Sequence, residues 1–290
     1  MGIGNVKPEV GQLQILDTTK TSLTFAALLN FTNPTDYSAS IPYADVQIMN
    51  NGSVLGHATV QHIAIKPGKN SNIPITAVWD PRTAGGHTAH AIGVELLSQY
   101  ISGFNTTITI RTHEGSIPGQ PSLGRALSRF AIEMPTPHLF PARPEGDDDD
   151  ENPSDPEDPD KPGKHKPSGP HFISDATMHL ISSTATFTLT SPLRTSTIYV
   201  THINATAMYK GDQVGHIDYD EAFAVPPAVP VTTPSLPVDW SLGSVGYDAI
   251  RNAVGGRLKL AARATVGIRI GRWEERIWFL GRGIGAHIRL

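Results

Sequence analysis

Residues 141–170 read PARPEGDDDDENPSDPEDPDKPGKHKPSGP, a proline-rich run with ten acidic residues, four basic ones and no aromatic side chain. Such a segment cannot bury enough apolar surface to offset the entropy of ordering its backbone, and its like charges repel. It divides the chain into two bodies, residues 8–140 and 171–290, joined by a disordered acidic linker over 141–170. With 290 residues in all, each body is long enough to bury a core of its own. A calcium site at Asp147–Asp150 is disfavoured, because the EF-hand spacing with its central Gly and terminal Glu is missing.

On both sides of the linker the hydrophobic pattern has period two. SLTFAALLNF places Leu23, Phe25, Ala27, Leu29 and Phe31 on one face. TATFTLT does the same with Phe187 and Leu189, and TTITIRT with Ile108 and Ile110. ARATVGIRIG sets Ala264, Val266, Ile268 and Ile270 against Arg263 and Arg269. Alternation of this kind marks strands with one face on a core and one in water. Two segments carry helical spacing instead, Gly93–Gly103 with Val94, Leu97 and Ile101, and Val245–Gly256 with Tyr247, Ile250 and Val254. Each closes on glycine, a common helix stop.

The order of features recurs. Asn33-Pro34 has its counterpart in Ser191-Pro192, NGSVLGH (Asn51–His57) in KGDQVGH (Lys210–His216), and Trp79 in Trp240. The repeat implies two copies of one module, each of short strands with one short helix. The fold class is mainly β, two tandem immunoglobulin-like β-sandwich modules. Trp79 and Trp240 are expected core anchors, and the two X-Pro steps are expected turns at strand ends.

The residues NPTDYSASIPYADVQIMNNGSVLGHATV, followed by GKNSNIPITAVWDP, resemble a fungal domain-of-unknown-function family of vacuolar-membrane proteins. That family has late-embryogenesis-abundant group-two-like (water-stress-like) β-sandwich domains in tandem, and the yeast autophagy-termination protein is similar to it. In the first half, Asn33-Pro34, Ile41-Pro42-Tyr43, Gly56 and Trp79 stand in the family's order. The second half has Ser191-Pro192 where Asn-Pro is usual and lacks the Ile-Pro-Tyr step. The resemblance implies a fungal, membrane-associated glycoprotein on the lumenal side of the vacuole, with a structural or signalling role and no catalytic residues to carry over. Its partner would be an unknown protein or membrane lipid.

No run of about 18 apolar residues crosses a bilayer as a helix. The opening MGIGNVKPEVGQ has neither the basic nor the apolar region of a signal peptide. Val6 stands where a myristoylation signal needs Ser or Thr. The membrane anchor that the resemblance implies is therefore not expected within this chain. A formal net charge of -4 argues against general nucleic-acid binding. The absence of cysteine removes disulfides and thiol chemistry.

Four sequons are present, at Asn30, Asn51, Asn105 and Asn204, and in a lumenal protein these are glycan acceptors. The competing explanation is chance in an Asn- and Thr-rich chain. Asn30 lies on the polar phase of a strand, where a glycan fits only a solvent-facing sheet. Among twelve histidines, His57 and His216 occupy equivalent Gly-His positions and His87 and His90 form the close pair. No HExxH occurs, so no metal site, cofactor or catalytic residue is expected. Ser244 fails the nucleophile-elbow pattern because Leu242 replaces its upstream Gly. Gly281–His287 fails the dinucleotide fingerprint because Ala286 replaces its third Gly.

The C-terminal 251–290 holds nine Arg or Lys and two Glu, with Trp273, Trp278 and Phe279 interleaved. It offers either a patch for anionic lipid or the last core strands with an arginine-coated wet face, and its alternation favours the strands. Two function classes remain: a non-enzymatic structural or signalling module and, as the alternative, a lipid or hydrophobic-ligand module with an acyl-sized cavity between its sheets.

Overall fold

Two hairpins on one plan organise the halves of the chain. In the first, β3 (Ala39–Asn50) turns into β4 (Ser53–Ile65) at Asn51 and Gly52, whose φ values are 46° and 76°. In the second, β10 (Ile198–Tyr209) turns into β11 (Asp212–Tyr219) at Lys210 and Gly211, with φ of 52° and 94°. Two successive positive φ values give the tight turn whose twist matches that of the flanking strands.

Both hairpins then slip register at the same place. Gly56 pairs with Ile48 but Val54 pairs with Met49, which leaves Leu55 unpaired and 0% exposed. Gly215 pairs with Ala207 but Gln213 pairs with Met208, which leaves Val214 unpaired and 4% exposed. The bulge turns that one residue into the core. The glycine that follows it faces tryptophan across the next ladder, Gly56 opposite Trp79 and Gly215 opposite Trp240. The recurring Gly…Trp spacing in the sequence is this cross-strand pair.

The computed structural model describes residues 8–129, 131–136, 172–241, 251 and 258–289. In the first module β1 (Glu9–Thr18), β2 (Leu23–Asn33), β5 (Gly68–Trp79), β6 (Thr107–Thr112) and β7 (Ala131–Pro135) complete a sheet of order β1-β2-β5-β4-β3-β6-β7. Two helices belong to it, α1 (Pro81–Ile101) and the short α2 (Pro121–Leu127). In the second module β8 (Ile173–His179), β9 (Thr184–Leu189), β13 (Val231–Thr232), β15 (Asp239–Trp240), β16 (Leu258–Ile270) and β17 (Trp273–Arg289) give the order β13-β9-β8-β17-β16-β10-β11-β15. Two short strands flank it, β12 (Phe223–Val225) on β10 and β14 (Leu236–Pro237) on β9. Among the described residues every pairing is antiparallel except the parallel contact of β17 with β8. The chain is mainly β in two tandem modules, as its alternation predicts.

The helix expected over Gly93–Gly103 begins twelve residues earlier, at Pro81. The Asp80 carboxylate accepts from the Thr83 amide and Pro81 sits in the first turn, which is ordinary helix-start chemistry. Gly86, at φ 71° and ψ −155°, interrupts the helix and hides that start from a periodicity reading. Ala89 and Leu96 pack on Leu55, Trp79, Ile92 and Ile108, fixing α1 to its own sheet. The helix expected over Val245–Gly256 lies outside the described residues but for Arg251, and the 141–170 linker lies outside them altogether.

The two X-Pro steps are turns held by the same kind of side-chain oxygen. Asn33 Oδ1 accepts from the Thr35 amide at 3.1 Å, and Ser191 Oγ accepts from the Leu193 amide at 3.1 Å. Serine thus replaces asparagine without loss of the turn, since both present an acceptor to the amide two residues on. Trp79 and Trp240 are half-buried and pack against the core clusters of their modules.

Candidate functional site

The largest buried cluster crosses from one module to the other. Leu23 of β2 sits with Leu189, Val200, Val225, Ile268, Ile270, Trp273 and Ile277, and Ile15, Phe25, Trp79, Leu97 and Ile101 pack around them. Three strands and α1 of the first module therefore share a core with five strands of the second.

A polar seam runs beside this core. Strand β17 pairs with β16 on one side, but β8 reaches only Ala286–Arg289 on the other. The stretch before Ala286 would present unpaired amides, the usual liability of a sheet edge. Helix α1 covers it. The Trp278 amide donates to Ser98 Oγ at 3.1 Å and the Leu280 amide to Ser102 Oγ at 2.9 Å. Serines four apart on a helix meet amides two apart on a strand, because both spacings are close to 6 Å. Ser98 is 0% exposed, so its hydroxyl is committed to this contact.

Side chains extend the seam. Trp278 Nε1 donates to Glu95 Oε2 at 2.8 Å, and its ring meets Phe104 edge-on at 6.2 Å. His90 Nε2 lies 2.7 Å from Glu275 Oε2, with each side chain 18% exposed. A contact that short to a carboxylate oxygen places the proton on Nε2. At the other end of the junction the Arg272 amide and Nε donate to Thr18 Oγ1 and Thr18 O at 2.9 and 3.0 Å.

The structure also places the residues that the sequence singled out. Trp273 and Ile277 are buried while Arg272 and Arg276 are exposed, so the basic C-terminal stretch forms core strands with a wet face. Arg269 stacks over the Tyr199 ring at 4.4 Å. Gly281–His287 lies within β17, so no helix follows it as a dinucleotide site requires. Ser244 lies outside the described residues. Asn51 is exposed in a turn, Asn105 is exposed in the loop before β6, and Asn204 is exposed within β10. Asn30 is half-buried and its Oδ1 accepts from the Asn72 amide at 2.8 Å. His90 enters the junction, whereas His57 lies on the far strands of the first module beside Asp45 and His113.

Residues 6–125 match the family model of the Tag1-like fourth LEA-2 like domain, and residues 165–278 that of the Tag1-like fifth LEA-2 like domain. The chain is a tandem of two LEA-2-like domains. Comparison with curated proteins gives no match. The junction thus joins two consecutive LEA-2-like domains, and its contacts come from the helix of the first and the long C-terminal hairpin of the second. Glu95, Ser98 and Ser102 were not singled out in the sequence. Their spacing, polar at i, i+3 and i+7 beside the apolar Val94, Leu97 and Ile101, was the available signal.

Two clefts open along the junction. One, about 110 Å³, lies among Trp79, Arg82, His90, Trp273 and Glu275. The other is a shallow groove of about 340 Å³ along Ile15–Thr18, Tyr199 and Ile270. Among the described residues no helix is long and apolar enough to cross a membrane.

Proposed function

We propose that the chain is a non-enzymatic structural or signalling module in which the two LEA-2-like domains act as one rigid body, on the lumenal side of a fungal vacuolar membrane. The observation that carries this reading is the shared core at the junction, sealed by the Ser98 and Ser102 contacts to β17. Domains that only tether a partner need no common core, since interfaces within a chain are ordinarily small and polar. A scaffold that transmits position does need one. The lumenal placement is supported by the resemblance to vacuolar-membrane proteins and by the exposure of Asn51, Asn105 and Asn204, the candidate glycan acceptors.

The lipid-binding alternative draws little from the geometry. A pocket for a drug-sized or acyl ligand encloses roughly 300–1,000 Å³ and buries most of that ligand. The narrower cleft is about 110 Å³ and has charged walls, while the larger groove is more open still.

Protease protection in intact vacuoles from the host tests the placement. The chain is expected to resist added protease until detergent opens the membrane. Digestion without detergent would overturn the lumenal assignment.

A further inference from the structure

We propose that Asp45, His57 and His113 form a binding site for a divalent transition-metal cation of the zinc type, carried by the first module alone. Asp45 lies on β3, His57 on the adjacent β4, and His113 just beyond β6, the other neighbour of β3. One hairpin and a strand distant in sequence thus bring two imidazoles and one carboxylate together, with one ligand atom from each within 4.8 Å of the others.

The separations suit an ion better than they suit hydrogen bonds. His57 Nδ1 is 3.4 Å from Asp45 Oδ1, and His113 Nε2 is 3.8 Å from Asp45 Oδ2. Ligands about 2.0 Å from a tetrahedral zinc stand about 3.3 Å apart, so the three groups close on one by drawing in from separations of at most 4.8 Å. Asp45 Oδ1, His57 Nδ1 and His113 Nε2 all lack accessible surface and a hydrogen-bond partner. Buried polar atoms left without a partner are costly, and three that converge on one point call for a shared one. Imidazole and carboxylate donors suit zinc, copper or nickel rather than calcium or magnesium.

The loop that carries His113 is tied to Asp45 in advance. The Asp45 amide donates to Ser116 O at 2.8 Å, and the His113 amide donates to Ser116 Oγ at 2.6 Å. Ser116 is 0% exposed, so the loop cannot drift while it holds both. The second module provides an internal contrast. There the ladders put His216 at the place of His57, but Asn204 at that of Asp45 and Thr265 at that of His113. Its nearest cluster, His202 with Asp218 and Asp220, is more exposed, and His202 Nδ1 already meets Asp220 Oδ1 at 2.5 Å.

The Gly115 amide donates to His113 Nδ1 at 3.1 Å, which puts the proton of the neutral ring on Nε2. Coordination through Nε2 requires the opposite tautomer, with the proton on Nδ1 and the Gly115 amide released to water. Cation binding therefore carries a signature that a loosely held surface ion lacks.

The test is calorimetric titration of the full chain with Zn²⁺, beside His113→Ala, Asp45→Asn and, as control, His202→Ala. The tightest site is expected to weaken about a hundredfold in the first two, since loss of even an outer-shell partner costs 10–100-fold, and to persist in the control. Long-range ¹⁵N spectra of the wild-type chain should show His113 passing from the Nε2–H to the Nδ1–H tautomer as Zn²⁺ is added. That readout does not depend on whether a variant folds. No binding, binding unaffected by His113→Ala, equal loss in His202→Ala, or an unchanged tautomer would each overturn the proposal.

Discussion

Replacing Ser98 with alanine removes one oxygen from the seam between the domains. The Trp278 amide, 3.1 Å from that oxygen, then has no acceptor, and Ser98 is 0% exposed, so water does not readily take its place. An amide left unpaired in such a position costs about 1–3 kcal/mol. Alanine returns about 0.5 kcal/mol through its better helix propensity, so the net loss is about 0.5–2.5 kcal/mol. Ser102→Ala removes the acceptor of the Leu280 amide in the same way, and Ser102 is the C-cap of α1, where alanine recovers less. The double variant should lose about 1.5–5.5 kcal/mol in all. A loss of 1 kcal/mol lowers the Tm of a unit this size by about 2–4 °C. Urea denaturation and scanning calorimetry measure both quantities. Thr88 on the exposed face of α1 supplies the control, because Thr88→Ala gains propensity and breaks no contact across the seam. If Ser98→Ala matched Thr88→Ala in stability, the serine would not be holding the β17 amide and the reasoning would fail.

Other consequences are open to the same instruments. A Cβ on Gly56 would lie 2.1 Å from the Val78 carbonyl oxygen, which the backbone cannot vacate, whereas one on Gly215 meets only the Trp240 ring and Val238 at 3.2 Å. Gly56→Ala should therefore cost at least about 3 kcal/mol and Gly215→Ala about 1 kcal/mol by urea denaturation. Trp278→Phe keeps most of the ring but loses the indole donor to Glu95, and a drop of about 0.5–1 kcal/mol is expected. Ser191→Ala deprives the Leu193 amide of its turn acceptor and should cost about 1 kcal/mol, and a cost near zero would deny that the serine holds this turn. Intact mass before and after endoglycosidase should show glycan at the exposed Asn51 or Asn105 in protein from the native host, with glycan at Asn30 contradicting its half-buried, hydrogen-bonded position.

The strands were legible because a half-buried strand writes its own alternation. Leu23 and Ala27 are buried on the face that the pattern assigned, as are Ile268 and Ile270 while Arg263 is exposed. The repeat was legible because a bulge, a glycine and a tryptophan form one geometric unit, and the unit needs those residues at that spacing in both copies. The start of α1 was not, because Gly85 and Gly86 break the apolar period just where the helix kinks. Nor was the seam, since a serine on a helix looks solvent-facing until the sheet edge that it caps is known. Asp45 and His113 escaped for a different reason. They lie 68 residues apart on strands that flank no common turn, and only the ladder order brings them to one place.

Hydrogen exchange at two backbone amides tests the central claim most directly. If α1 caps the β17 edge and makes the two LEA-2-like domains one body, the Trp278 and Leu280 amides will exchange as slowly as the amides paired within the β16–β17 ladder, and Ser98→Ala will release Trp278 selectively. If both exchange at the rate of an open strand edge in the unaltered chain, the domains are not joined in this way and the rigid-body account is wrong.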